Sequence, residues 1–347
     1  MPPLISVCMA SFNHAPFIRV AVESVLQQSF VDWELLITDD GSTDGTLAAL
    51  DGITDDRIHI DAFPENRSAC VALNHCIRRA RGRFIAVLNS DDWWAPEKLT
   101  KQLDVMEEKP ATAAVFTLAS MVDERGRPLP PEHPSHKIFE RPNRTRIDWL
   151  RRLILEGNCL CHPSALVRSE TYREVGLYDE RLAQLPDLDM WIRICMRHDI
   201  WVIQERLTMF RLLDYERNAS GNRPVVRVRS AVENMLVYLK AFRDFPLEMA
   251  SVIRSPEAAS TPPDPSALKD ALTMMLTDLR GPPGPAGMRV AQLIWMYDQL
   301  SATENWSSYK QFIQQTGAGD PLNLIALEQL ATQTTAVGRR PWWRCFG

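Results

Sequence analysis

Between Leu4 and Thr117, short apolar runs alternate with amphipathic stretches. That alternation confines the chain to an α/β architecture with a mainly parallel sheet, because strands running the same way need a helical crossover between them. The strand-like runs are Leu4–Ala10, Glu34–Thr38, Arg57–Asp61, Phe84–Leu88 and Ala113–Thr117. Helical stretches near Pro16–Gln28, Thr43–Leu50, Ser68–Ala80 and Pro96–Glu108 separate them. Gly82 follows the third stretch where a C-terminal helix cap belongs, and Pro110 follows the fourth. Asp123-Glu124-Arg125-Gly126 reads as a tight hairpin turn. Thr145–Glu156 and Leu188–Arg197 have helical spacing, and Leu160–Val167 reads as a strand.

Carboxylates stand where two of the strands end. Asn89-Ser90-Asp91-Asp92 closes the Phe84–Leu88 run, and Asp39-Asp40 closes Glu34–Thr38. Adjacent carboxylates at the end of a buried strand are costly unless something positive compensates them. In an open α/β sheet, ligands bind at that end. A divalent metal holding a diphosphate accounts for both Asp91 and Asp92, whereas a cap on the Pro96 helix accounts for one. Asp39 to Asp44 can also be read as a turn and a helix cap built by Gly41, Ser42 and Asp44.

Four pieces carry a resemblance: SVCMASFNHAPFI, SVLQQSFVDWELLITDDGSTDGT, ENRSACVALNHCIRRARGRFIAVLNSDD and LPDLDMWIR. In this order the chain resembles a family 2 glycosyltransferase of the GT-A fold over about residues 4–220. The resemblance implies transfer of a sugar from a nucleotide diphosphate donor, by default a UDP-sugar, to a hydroxyl of a glycan or lipid-linked saccharide. It implies that Asp40 accepts a hydrogen bond from the base, with Asp39 beside it, and that Phe12 stacks near the base. Ala10 and Ser11 would supply backbone contacts. A tyrosine is commoner than Phe12 at its position, so stacking is kept and one hydroxyl contact is lost.

Asp92 matches the last acid of the family's metal motif, with Asp91 as partner and Asn89 in first place; oxygen ligands select Mg²⁺ or Mn²⁺. Arg67 is placed either to contact phosphate or to remain solvated. Asp187 falls on the position of the catalytic base, which implies a single displacement with inversion. Pro186 stands where the family usually has a glutamate. Asp189 reads as structural, pairing with Arg193 at i+4. His162 and Trp191 fall toward the acceptor or phosphate side, His162 being open also to a backbone-satisfied role. Leu213 occupies the place of a metal-binding histidine, leaving water, Asn218 or Ser220 to complete the site.

The rest of the chain bounds the partners. A formal net charge of −5 and a pI near 5.9 argue against a nucleic-acid binder. Seven scattered cysteines suit a reducing compartment, and Cys159-x-Cys161 reads as two residues along one strand face. Neither Met1–Ile18 nor Pro110–Val122 has the apolar length of a membrane span, so a cytoplasmic protein is expected. Residues 1–224 are expected to form the transferase domain and 225–347 a helical C-terminal extension. That extension would hold helices near Val225–Phe242, Ala267–Asp278, Met288–Leu300 and Pro321–Thr332, with the Pro-rich linker Ser255–Pro265. The tail Arg339–Phe346 mixes cations with tryptophans, which suits peripheral contact with an anionic membrane or packing on the helices.

Two other classes stay open on the residues alone. Pro186 and Leu213 keep open a nucleotide- or glycan-binding protein without catalysis. A sugar nucleotidyltransferase would want a Gly-rich, basic phosphate loop, and Ser11-Phe12-Asn13-His14 offers neither glycine nor a cation before Arg19.

Overall fold

The computed structural model describes residues 2–213 and 224–245. The expectations placed on Asn218, Ser220, the Ser255–Pro265 linker, the three later helices and the Arg339–Phe346 tail lie outside the described residues. The chain divides into two compact units, Met1–Asn143 with Asn158–Asn222 and Arg144–Gly157 with Arg223–Gly347. The division therefore falls next to the expected boundary at 224, but Arg144–Gly157 groups with the C-terminal residues.

The first unit is built on strands β1 (Ile5–Ser11), β2 (Trp33–Asp39), β3 (Ile58–Ala62), β4 (Phe84–Val87), β5 (Trp93–Trp94), β6 (Thr112–Val122), β7 (Leu166–Arg168) and β8 (Asp199–Arg211). They form one sheet in the order β3-β2-β1-β4-β7-β6-β8-β5. Strands β1 to β4 are mutually parallel, with Ser11 beside Asp39 and Ile5 beside Phe84. Strand β7 runs antiparallel to both β4 and β6, β8 is parallel to β6, and β5 is antiparallel to β8. Helices α1 (Ile18–Leu26), α2 (Ala69–Arg79), α3 (Lys98–Glu108), α5 (Ser169–Val175) and α6 (Pro186–Cys195) belong to this unit, with α4 (Arg146–Glu156) and α7 (Pro224–Asp244) in the second.

The parallel half forms because β1, β2 and β4 are buried on both faces, with β3 as a partly exposed edge strand. Ile5, Val7, Met9, Leu35, Ile37 and Ala86 are fully buried, and α1 covers one layer with Ile18, Ala21, Val22 and Val25. Each large apolar side chain so buried contributes about 1.5–3 kcal/mol. The chain passes from β1 outward through β2 to β3 and then returns to the other side of β1 as β4. The order therefore reverses between β1 and β4, which makes their carboxyl ends the switch point where such sheets bind ligands.

Several local expectations are corrected. Thr43–Leu50 is a loop with a single 3₁₀ turn at Ala48–Leu50, because Gly45 sits at φ +87° and Asp44 accepts from the backbone of Ala15 and Thr46. Leu160–Val167 is interrupted by a 3₁₀ turn at His162–Ser164, where Pro163 has no N–H for a ladder, and the strand begins at Leu166. Cys159 and Cys161 are accordingly buried in the segment before that turn rather than aligned on a strand. Helix α2 ends at Arg79 with Ala80 as its cap. Gly82 instead lets the chain pass against β1: its N–H donates to Ser6 Oγ at 2.8 Å, and a Cβ there would meet Ser6 N at 2.5 Å. The turn at Asp123–Gly126 forms as expected, with Gly126 N–H on Asp123 O at 2.9 Å.

In the second unit, Thr145 caps α4 by accepting from Asp148 N–H at 3.2 Å, and Tyr238 Oη of α7 donates to Ile154 O at 2.9 Å. No helix among the described residues is long and apolar enough to cross a membrane.

Candidate active site

The loop leaving β1 and the loop leaving β2 are stitched together. Ser11 Oγ donates to Asp39 Oδ1 at 2.9 Å, and Asp39 also accepts from Ser42 N–H at 2.8 Å and Ser42 Oγ at 2.6 Å. Asn13, at φ +52°, donates its N–H to Ser42 Oγ and accepts at Oδ1 from Thr43 N–H. Asp40 is 1% exposed and holds the start of α2: its two oxygens accept from Arg67 N–H at 2.7 Å and Ser68 N–H at 3.0 Å. Burial nevertheless pushes its carboxyl above the ordinary range, with the neighbouring Asp39 charge adding to the effect. Both acids thus spend hydrogen bonds on loop structure, the turn-building role that their sequence context already allowed. Phe12, 41% exposed, is the large aromatic left open beside them, while Ala10 is half-buried. The exposed Arg67 guanidinium lies 4.9 Å from the centre of the Phe63 ring.

At the end of β4 the two carboxylates do different work. Asp92 is 2% exposed; Oδ1 accepts from Arg211 N–H at 2.7 Å and Oδ2 from Asn89 Nδ2 at 2.9 Å. Burial and the adjacent Asp91 charge drive its carboxyl well above the ordinary range. Asp91 is partly exposed, and no other described residue donates a hydrogen bond to its carboxylate. Burial raises Asp91 as well, opposed by the charges of His14 and Arg211. Asp92 is thus tied to Asn89 and Arg211, whereas the Asp91 carboxylate keeps partial exposure.

No group of three or more His, Cys, Asp or Glu side chains is gathered for a metal among the described residues. A cation here would have Asp91 and the oxygens of a bound phosphate group. Mg²⁺ and Mn²⁺ suit such a donor set, since Mg²⁺ characteristically uses one or two carboxylates together with substrate phosphates.

Two residues around this motif were not legible as functional in the sequence. His14 sits between the two loops, its N–H on Thr46 Oγ1 at 2.9 Å and its ring Nδ1 2.7 Å from Ser90 Oγ. Arg211, at the end of β8, donates Nε to Asp91 O at 2.8 Å and Nη1 to Glu124 O at 2.6 Å. Its guanidinium lies 4.8 Å from the centres of both the Phe17 and Trp93 rings. His14 was signalled by its place in the first motif, and Arg211 by standing two positions before Leu213, itself buried.

The segment before β7 is laid against the end of β4. Val87 N–H donates to Ala165 O at 3.0 Å, and Trp94 Nε1 donates to Pro163 O at 2.7 Å. From this segment Asn158 reaches Asp187 in the first turn of α6, with Nδ2 2.5 Å from Asp187 Oδ2. Asp187 Oδ1 accepts from Leu188 N–H at 2.8 Å. Burial lifts Asp187 to about 6. Pro186 occupies the opening turn of α6, where its missing N–H costs nothing. Asp189 pairs with Arg193 at 2.7 Å, as its spacing predicts.

Trp191 lies in the core, whereas His162 keeps partial exposure. Trp191 is fully buried, edge-on to Phe116 at 4.7 Å. His162 Nε2 is 3.0 Å from Tyr178 Oη, its ring 6.0 Å from that of Trp191, and burial lowers it to about 4, so it is neutral near pH 7. Both lie within the packing of the α6 region, because the apolar face that carries Trp191 is the one that α6 turns into the core.

The chain resembles known proteins over this same region. The sequence model of Glycosyl transferase family 2 matches residues 6–176. TuaG of Bacillus subtilis, a glycosyltransferase assigned to teichuronic acid biosynthesis, is 35% identical over 216 residues, which are 61% of this chain and 80% of TuaG. Among solved structures, S. aureus TarS 1–349 in complex with UDP-GlcNAc superposes with a TM-score of 0.56 at 15% identity, covering 96% of this chain and 92% of that one. The mannosyltransferase PcManGT of Pyrobaculum calidifontis, in complex with GDP-Man and Mn²⁺, gives 0.52 at 16% identity over 98% of this chain and 89% of its own.

Proposed function

The chain belongs to glycosyl transferase family 2 and has the GT-A fold, and from that premise we propose that it transfers a sugar from a nucleotide diphosphate donor to a hydroxyl of a cell-envelope glycan or lipid-linked saccharide, with a divalent metal and with inversion. The observation that carries the reading is the partly exposed Asp91 carboxylate that follows β4 at the β1/β4 switch point. Structures with the same fold hold UDP-GlcNAc or GDP-Man with Mn²⁺, and TuaG is assigned to teichuronic acid biosynthesis; these support the donor, metal and acceptor classes.

In this reading the nucleoside enters beside Phe12, whose exposed ring offers a stacking surface. Asp40, already accepting from the Arg67 and Ser68 N–H groups, would accept from the base with its remaining lone pairs, and Arg67 and His14 would meet the phosphates. Asp91 and the donor phosphates would hold Mg²⁺ or Mn²⁺, which when bound supplies charge to stabilise the leaving nucleotide diphosphate. Asp187 takes the proton from the acceptor hydroxyl as that oxygen bonds to the anomeric carbon. The bond from the anomeric carbon to the diphosphate oxygen breaks in the same step, so configuration inverts. A carboxylate at about 6 is ionised at neutral pH and more basic than an exposed aspartate, which suits a general base.

Thermal denaturation with UDP, GDP and dTDP, each with and without Mn²⁺, tests the reading. A ligand that binds only the folded state stabilises it by about 2.7 kcal/mol at a hundred times its Kd. Stabilisation by UDP that requires the metal, and that disappears in Asp91→Ala, is expected. Absence of any nucleotide effect would overturn the donor site and favour a non-catalytic scaffold.

A further inference from the structure

Asp187 accepts hydrogen bonds on two different oxygens from two different parts of the chain, and this fixes the plane of its carboxylate. One donor is local, the Leu188 N–H in the first turn of α6 at 2.8 Å. The other comes from 29 residues earlier: Asn158 Nδ2, at 2.5 Å from Oδ2. The Asn158 amide is itself held in one orientation, because Leu160 N–H donates to its Oδ1 at 3.0 Å. A flipped amide would turn its oxygen toward the carboxylate and its NH₂ toward another donor, losing both bonds.

We propose that Asn158 is a positioning residue for Asp187: its side-chain amide orients the carboxylate and favours the ionised form needed to accept a proton from the sugar acceptor. The proposal rests on the reading of Asp187 as the base. A carboxylate in a largely buried site costs free energy to ionise, and donors aimed at the charged form are what keep it available. Asn158 is suited to this because it donates without carrying charge. A lysine or arginine would pull the carboxylate below its useful range, and an aspartate would oppose it. Among the described residues Tyr178, on the segment before α6, feels the Asp187 charge, and this together with burial holds its phenol in the neutral form. His162, bonded to Tyr178, is neutral as well.

The test is direct titration of Asp187 in the full chain by carboxyl ¹³C NMR after labelling with aspartate, the resonance being identified by its absence in Asp187→Asn. Asn158→Ala removes the donor. Asn158→Asp keeps an acceptor for Leu160 N–H, and with it the loop, but turns a carboxylate toward Asp187. Loss of a hydrogen bond to a charged group is expected to raise the proton affinity of Asp187 about tenfold in Asn158→Ala. A larger rise is expected in Asn158→Asp, where like charges face each other. Titration within about twofold of the wild type in both variants would reduce Asn158 to a loop residue and overturn the proposal. Nucleotide release from UDP-GlcNAc in Asp187→Asn separates the two ideas. Undiminished release with the shifts intact would refute Asp187 as the base and leave its coupling to Asn158 standing.

Discussion

Arg211 donates its backbone N–H to Asp92 Oδ1 at 2.7 Å across 119 residues of sequence, while its Nε holds the Asp91 carbonyl oxygen at 2.8 Å. The last residue of β8 is thereby fastened to the loop that follows β4, and two adjacent acids acquire separate tasks. Asp92 ties the two segments together through its side chain, and Asp91 does so through its backbone carbonyl.

Asp92→Ala should therefore destabilise the protein by about 2–4 kcal/mol, since it strands a buried backbone N–H and the Asn89 amide. Asp91→Ala should leave stability unchanged or slightly raised, yet abolish the Mn²⁺-dependent stabilisation by UDP. Urea denaturation with and without ligand reads both effects. The opposite pattern would return the metal-ligand role to Asp92.

Asp187 is expected to make stability fall as pH rises. Its folded value of about 6 lies above the ordinary 3.8. Between those values the folded state keeps a proton that the unfolded state has lost, so stability declines through that window and levels off above it. The difference is about 1–3 kcal/mol by linkage. In Asp187→Asn that part of the decline should vanish. Urea midpoints compared at pH 4 and pH 7 would show it, and parallel curves for the two proteins would refute it.

Lys98 has the opposite sign. It is fully buried, with Nζ 2.7 Å from Gln102 Oε1 and 3.8 Å from the centre of the Trp94 ring, and burial holds its ammonium well below 10.5. From its folded value up to about 10.4 the unfolded state binds the extra proton, so stability rises with pH. Lys98→Met should lose that rise, read as the change in urea midpoint between pH 7 and pH 9. Equal slopes in urea unfolding at the two pH values would show that the lysine stays charged in the fold.

Gly82→Ala should cost about 1–3 kcal/mol through overpacking, because the added Cβ would meet backbone atoms of Ile5, Ser6 and Phe84 rather than side chains that can rotate away. Its distance from the switch point in the strand register predicts an unchanged Kd for UDP in the fraction that folds. Calorimetric titration alongside thermal melting would decide it, and a variant as stable as the wild type would contradict the close approach.

Much of the parallel half was legible because β1, β2 and β4 are apolar enough to declare themselves, and β3 follows by its alternation of Ile58 and Ile60 with polar residues. The strands of the other half were harder to read. β7 has only three residues and β5 two, and β8 carries Gln204, Glu205 and Arg206 at a place where its pairing with β6 shifts register. Their strand character comes from neighbours that supply hydrogen-bond partners, which no local pattern encodes. The helix expected after Thr43 failed for a related reason. Asp44 and Thr46 bond to the loop after β1, and that tertiary contact outweighs local propensity.

The site divides along the same line. By itself the sequence determined which chemistry was available: acids after β2 and β4, an aromatic after β1, an acid opening α6. Those follow from residue type and from distance to an apolar run, both local properties. Only the tertiary structure decided which acid is bonded to the rest of the fold, that Trp191 is buried against Phe116, and that Asn158 and Arg211 reach Asp187 and the Asp91-Asp92 pair. Each of these depends on a donor or a packing surface far away in the chain, and the free energy of a carboxylate is set by what surrounds it rather than by what precedes it.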